Sequence, residues 1–165
     1  MILHLARKEI KDPEGQDIAK MLKDNKWLRK LELEGNFLGP LSAKEFGRAL
    51  KVNTTLKYLD LDNNYLTNNQ QDTSGVTSFT KCLYKNKTLL SLHMANNGLK
   101  ATCGEQFDEA LKFNTTLINF DFSFNPFLDS QIRSLKKSLL RNKAHYDAER
   151  FREWKERKLM HWEFE

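Results

Sequence analysis

The side chains in this chain that could do chemistry are few and far apart: His4, His93, His145, His161, Cys82 and Cys103, set among 22 aspartates and glutamates. Group transfer needs a nucleophile within reach of an oriented base, and no such pair is expected from these positions. Nucleotide binding and zinc hydrolysis have their own marks, and GxGxxG, GxxxxGK and HExxH are all missing. A metal row is conceivable at Asp60, His93 and Asp121, but it would take ligands from three parallel strands, reaching across roughly 10 Å. The expectation is no enzyme, no resident metal and no cofactor. The remaining chemistry is recognition. Glu32, Glu34, Asp60, Asp62 and Asp121 recur in step with Lys30, Tyr58 and His93, and a row of carboxylates can hold Lys or Arg side chains.

What positions these groups is a repeat. The string L-x-x-L-x-L-x-x-N-x-L starts at Leu28 and again at Leu56, then returns as Leu89, Leu92, Met94, Asn97, Leu99 and as Leu117, Phe120, Phe122, Asn125, Phe127. Its anchor asparagines Asn36, Asn64, Asn97 and Asn125 are 28, 33 and 28 residues apart, so one unit carries an insertion of five. A second asparagine closes each unit, at Asn25, Asn53, Asn86, Asn114 and Asn142; Leu3, Leu5, Lys8 and Ile10 fill the slots of a degenerate first copy. The alternation after the first leucine is a strand with leucines inward, and the asparagine sits where the chain turns. Its amide can donate and accept, so it is expected to bond the backbone groups that the turn leaves open, in a ladder.

The second half of each unit has helical spacing: Ile18 and Leu22, Phe46 and Leu50, Phe79 and Leu83, Phe107 and Leu111, Leu135 and Leu139. Asp12 before Pro13 reads as an N-cap, and Gly39 before Pro40 serves the next helix in the same way. Cys82 shares a column with Met21, Ala49, Ala110 and Ser138 on the inner side of these helices, which makes it a packing residue. The expected fold class is α/β: a solenoid of five strand-helix units with a parallel concave sheet, convex helices and a C-terminal capping helix. The division is residues 1–142 for the repeats and 143–165 for a cap or extension helix.

Composition narrows the partners. With 30% charged and 39% hydrophobic residues, the chain suits a thin solenoid with much surface, and it holds no long apolar run for a membrane. The net charge of +5 resides mainly at the C-terminal end, where residues 131–165 carry ten Lys or Arg against six Asp or Glu. Nucleic-acid binding through Arg150, Arg152, Trp154, Lys155, Arg157 and Lys158 is a second alternative, weakened by interleaved Glu149, Glu153 and Glu156. The N-x-T triplets at Asn53, Asn86 and Asn114 follow the repeat and read as turn chemistry, not as glycan acceptors.

The repeat resembles the ribonuclease-inhibitor-like class of leucine-rich repeats over residues 1–142. Five units closed by a C-terminal helix, with the stretch KVNTTLKYL from Lys51 to Leu59, also resemble the C-terminal domain of tropomodulins and leiomodins; similar phrasing occurs in ciliary repeat proteins. The resemblance implies a non-catalytic protein-interaction module in a larger cytoplasmic, cytoskeletal or ciliary protein, with actin or an axonemal protein as partner, and tropomodulin-like pointed-end capping as the first alternative. The expected concave contacts are Lys30, Glu32, Glu34, Tyr58, Asp60, Asp62, His93, Asp121 and Phe124. The expected contacts or cap residues on the C-terminal helix are Phe151, Trp154 and Trp162, with Ala144 and Ala148 also facing inward. The polar insertion at Asn68–Gly75 is expected to protrude as a loop. Because strand residues begin almost at Met1, an open first edge and self-association there are expected as well.

Overall fold

Each L-x-L triplet forms a three-residue strand, and each helical stripe packs behind it. The computed structural model describes the backbone of residues 1–162 and the side chains of residues 1–157. The order is β1 (Ile2–His4), α1 (Asp12–Asp24), β2 (Lys30–Glu32), α2 (Pro40–Leu50), β3 (Tyr58–Asp60), α3 (Ser74–Leu83), β4 (Ser91–His93), α4 (Ala101–Phe113), β5 (Asn119–Asp121) and α5 (Asp129–Trp162). The five strands make one parallel sheet in sequence order. Its register is that of the repeat: Leu3, Leu31, Leu59, Leu92 and Phe120 stand in one row, and His4, Glu32, Asp60, His93 and Asp121 in the next. The leucine rows and Phe46, Phe79 and Phe107 of the helices close one continuous core.

Two asparagine ladders hold the turns. Asn36 Nδ2 donates to the Leu33 carbonyl (2.8 Å) and to Leu5 of the preceding unit (2.9 Å), while its Oδ1 accepts the N–H groups of Lys8 and Ile10. Asn64, Asn97 and Asn125 repeat the pattern. The closing asparagines do the same on the other side: Asn53 Nδ2 reaches the Leu22 carbonyl at 2.7 Å, and its Oδ1 accepts the Thr55 and Leu56 N–H groups. Thr55, Thr88 and Thr116 add hydroxyl bonds to the asparagine carbonyl one unit back, so the N-x-T triplets are turn chemistry. Each ladder satisfies buried carbonyls and N–H groups that the sheet cannot reach.

The structure corrects several local expectations. Asp12 does not cap its own helix, which begins at Asp12 with Lys11 as N-cap. Its carboxylate instead accepts the N–H groups of Gly39 (2.8 Å) and Ser42 (2.7 Å), capping α2 in the next unit, where the stacking of repeats brings it closer than its own first turn. Met21 is 42% exposed, whereas Ala49, Cys82, Ala110 and Ser138 in its column are buried, because that column faces the preceding unit and none of the described residues lies on that side of α1. The insertion turns through Asn68, Asn69 and Gln70, all with positive φ, but Gly75 belongs to α3, where an added Cβ would strike the Pro40 carbonyl.

The C-terminal helix also departs from expectation. α5 runs unbroken across Asn142, and the covering of the last unit is done before that point, by Gln131, Leu135, Ser138 and Asn142, all buried. Arg141 adds bonds to the Leu111 and Asn114 carbonyls at the end of α4 (2.7 and 2.9 Å). Beyond it, Ala144, Ala148, Phe151 and Trp154 are exposed, not inward-facing. Those four side chains face solvent, while His145, Tyr146 and Glu149 on another face of the same turns line a cleft with Lys57, Lys87, Leu90 and Thr116.

Candidate functional site

The concave wall is built from the outward residues of β2 to β5 and the turns that follow them. Alternation along each strand sends Leu31, Leu59, Leu92 and Phe120 inward and leaves Lys30, Glu32, Tyr58, Asp60, Ser91, His93, Asn119 and Asp121 outward. Glu32 and Glu34 face outward, but each has a cation from its own chain. Glu32 pairs with His4 and with Lys30 Nζ (2.6 Å), and Lys30 holds its carboxyl below the usual range. Glu34 pairs with Arg7 (3.1 Å). Lys30 Nζ also lies 4.4 Å from the Tyr58 ring centre. The two firm cations of the face are thereby engaged, and the unpaired acidity concentrates at Asp60, Asp62 and Asp121.

These three acids surround His93. Burial pushes the Asp60 carboxyl up, against the effect of the Asp62 N–H, which donates to its Oδ1 (3.0 Å). The Tyr58 hydroxyl donates to the other oxygen (3.3 Å), and burial raises the phenol. Asp62 Oδ1 accepts the Ala95 N–H (2.6 Å) while Oδ2 lies 3.7 Å from His93 Nδ1. That contact, followed by the charges of Asp60, Asp62 and Asp121, raises the His93 pKa in spite of partial burial. Tyr58 and His93 rings sit 4.9 Å apart, which stiffens the wall.

The far side of His93 holds an arrangement that sequence reasoning missed. Ser91 Oγ is 3.1 Å from His93 Nε2, so a hydroxyl and a base do meet, on one strand face at a spacing of two residues. The alternation Ser-x-His was the signal for it. It falls short of a catalytic assembly: the Asn119 amide donates to both Ser91 Oγ (3.0 Å) and His93 Nε2 (3.3 Å), and Asp62 stands 3.7 Å from Nδ1, beyond a good hydrogen bond. The neighbouring strand N–H groups of Leu61 and Met94 are committed to the sheet and offer no oxyanion donors. The metal row is also redrawn, since the ligand atoms that converge, within 4.8 Å of one another, are those of Asp60, Asp62 and His93, without Asp121. Both aspartates there already accept protein N–H groups. The thiols are equally quiet, as burial pushes Cys82 up to about 12 and raises Cys103 as well.

Two further surfaces flank the wall. Phe124, with φ of 58° and 86% exposed, projects beside Asp121 over a hollow of about 560 Å³ lined by His93, Asp121, Phe122, Ile132, Lys136 and Leu139. Gln70 and Asn69 of the insertion form one side of a second cleft, about 420 Å³, with Tyr65, Asn96, Phe124 and Pro126. On α5, Phe151 and Trp154 stack at 5.8 Å, 56% and 52% exposed, with Lys155 Nζ 4.8 Å from the Phe151 ring centre. Glu153 and Arg157, one turn apart, pair at 3.7 Å. The side chain of Trp162 lies outside the described residues.

The repeat geometry decides the class: parallel strands in sequence order, a helix behind each, and an asparagine ladder at every turn. The chain folds as a leucine-rich repeat solenoid. The family described as Leucine Rich Repeat matches residues 55–82, one unit of the solenoid. No curated protein sequence matches the chain. Among solved structures, it is similar to leiomodin-1 actin-binding site 2, with TM-score 0.83 and 22% identity over 94% of this chain and 87% of that one. It is also similar to the tropomodulin C-terminal domain of Caenorhabditis elegans, with TM-score 0.76 and 13% identity over 92% and 87% of the two chains. At those identities the likeness is one of fold. No described helix of the solenoid is long and apolar enough to cross a membrane.

Proposed function

We propose that this leucine-rich repeat solenoid is a non-catalytic protein-interaction module of the cytoskeleton whose concave wall docks a basic segment of a protein partner. The observation that carries this reading is the unequal pairing of the wall. Glu32 and Glu34 are answered by Lys30, His4 and Arg7, whereas Asp60, Asp62 and Asp121 have only the half-buried His93 among them. A Lys or Arg from a partner would relieve that cluster, with Tyr58 and the exposed Phe124 flanking its aliphatic stem. Rigid strands set these groups in place without further ordering, which lowers the entropic cost of binding.

Actin is the first partner to try, because a similar structure is an actin-binding site. The module should co-sediment with filaments, and a protein with Asp60, Asp62 and Asp121 changed to Asn should bind at least tenfold more weakly, given about 1.4 kcal/mol per decade and several charge pairs lost. Pyrene-actin elongation from the pointed end separates capping from side binding. Filament binding that is equal in the two proteins overturns the concave site. Absence of actin binding overturns actin alone, and proximity labelling with the same two proteins then tests the wall: an identical set of labelled partners rejects it. Binding to single- or double-stranded nucleic acid that falls steeply with salt would favour the basic helix instead.

A further inference from the structure

The two ends of the solenoid are complementary to each other. Inside the chain, the N–H groups of Leu5, Leu33, Leu61 and Met94 donate to the carbonyls of Glu32, Asp60, His93 and Asp121 in the following unit. Those of Arg7, Gly35, Asn63 and Asn96 donate likewise to Glu34, Asp62, Ala95 and Ser123. Carried one step on, this places the N–H groups of Phe122 and Phe124 on the open edge beyond β5, with no strand to receive them among the described residues. At the other end the same rule turns the carbonyls of His4 and Ala6 outward. Donors at one edge thus match acceptors at the other in spacing and direction, which is what a parallel strand needs.

The helices obey a matching rule. Counted back from the closing asparagine, Gly104 stands ten residues before Asn114, and a Cβ there would lie 2.6 Å from Gln131, eleven before Asn142. Gly47 stands six before Asn53 and meets Phe79, seven before Asn86, at 2.8 Å. By this rule Ile132 and Lys136 are the forward-facing residues of α5, and Glu14 and Ile18 the backward-facing residues of α1. Met21 follows on that face of α1, and Leu139 follows on that of α5. The forward face of α5 carries Ile132, Lys136, Leu139 and Lys143, with Asp129 at its start and Arg133 at its border; the backward face of α1 carries Glu14, Ile18 and Met21, bordered by Asp17, which pairs with Lys20 at 2.9 Å. Beyond Asn142, α5 leaves the β5 edge uncovered: His145, Tyr146 and Glu149 line a cleft with Lys57, Lys87, Leu90 and Thr116, back along the chain's own earlier units.

We propose that copies of this chain stack end to end, β5 of one taking β1 of the next as its neighbour, so that Lys136 lies against Ile18, between Glu14 and Asp17 of the second copy. The row His4, Glu32, Asp60, His93, Asp121 then continues with the His4 of the next copy beside Asp121. Such contact is head to tail, and it extends in an open series instead of closing as a symmetric dimer.

Sedimentation velocity on the 165-residue chain, from about 5 µM to about 500 µM, tests this. The mean mass should rise with concentration and pass that of a dimer. Lys136→Asp and Asp17→Lys should each shift the association midpoint upward by roughly tenfold, since each puts like charges together. Both residues are solvent-exposed, and unchanged thermal melts would verify that the variants fold. An equal mixture of the two variants should regain the original affinity and extend as an alternating series, because both junctions between unlike copies set a carboxylate against an ammonium across positions 136 and 17, while both junctions between like copies repel. A chain that stays at 19.4 kDa throughout overturns the proposal. So does association that both variants leave untouched, or a mixture no tighter than its components.

Discussion

Replacing Asn64 by Asp tests the ladder that holds the concave wall in shape. Asn64 is 4% exposed, and its Nδ2 donates to the carbonyls of Leu33 (3.0 Å), Leu61 (3.1 Å) and Asp62 (3.1 Å), while Oδ1 accepts the Leu38 N–H (3.0 Å). An aspartate of the same shape keeps the last bond and turns its second oxygen toward three carbonyls. The Leu33 and Leu61 carbonyls retain donors from Asn36 and Asn97, so the direct loss is that of weakened hydrogen bonds, about 2 kcal/mol. The larger effect is electrostatic. A carboxylate at this place is driven to stay protonated, and holding it so at pH 7 costs up to about 1.4 kcal/mol for each unit above its ordinary value near 3.9, roughly 4 kcal/mol as a ceiling. The folded-state pKa of the new group is raised, so the electrostatic penalty is absent below the unfolded value and grows as pH rises toward the folded one. Urea unfolding followed by circular dichroism should therefore show a loss of about 2 kcal/mol near pH 4 and about 4 kcal/mol or more at pH 7, relative to the parent at each pH. The same change at Asn125, which is only partly buried at the last turn, should cost less because water can reach the carboxylate. A loss at Asn64 below about 1 kcal/mol, or one independent of pH, would refute the reasoning.

Four shorter expectations follow from particular contacts. Asp12→Ala removes the carboxylate that accepts the N–H groups of Gly39 and Ser42, and should destabilise by about 1–2 kcal/mol in chemical unfolding, as a lost helix cap does. Gly75→Ala forces a methyl into the Pro40 carbonyl and should lower the melting temperature by several degrees, on the order of a 2 kcal/mol loss. Truncation after Lys143 should leave the melting temperature within about 2 °C, since Ala144, Ala148, Phe151 and Trp154 are exposed; a large drop would restore a capping role to the tail. His93, raised above its ordinary 6.5 chiefly by Asp62, contributes stability that is complete below that value and is lost as pH rises through the folded one. The parent should accordingly exceed His93→Asn by more at pH 6 than at pH 8.5, and an equal difference at both would show that the Asp62 contact carries no charge.

The spacing of leucines and asparagines determined most of this protein without help. A period-two triplet can bury only alternate side chains, and a period near 28 can satisfy its turn asparagines only by stacking, so the sheet order, the register and the outward rows were legible in the chain. The candidate residues of the concave wall were legible for the same reason. What linear order could not carry was the partnership of neighbours one unit apart. Asp12 belongs by sequence to α1 and by contact to α2; Arg7 and Lys30 answer the glutamates while Asp60 and Asp62 go without; Ser91, Asn119 and Asp62 meet at His93 from three different units. These depend on side-chain reach across a gap of about 4.8 Å between strands, which the period permits but does not select. The tail shows the converse: Phe151 and Trp154 have the composition of a cap, yet whether a helix caps depends on what lies beneath it, and both rings sit on a face of α5 that meets solvent instead of the last unit.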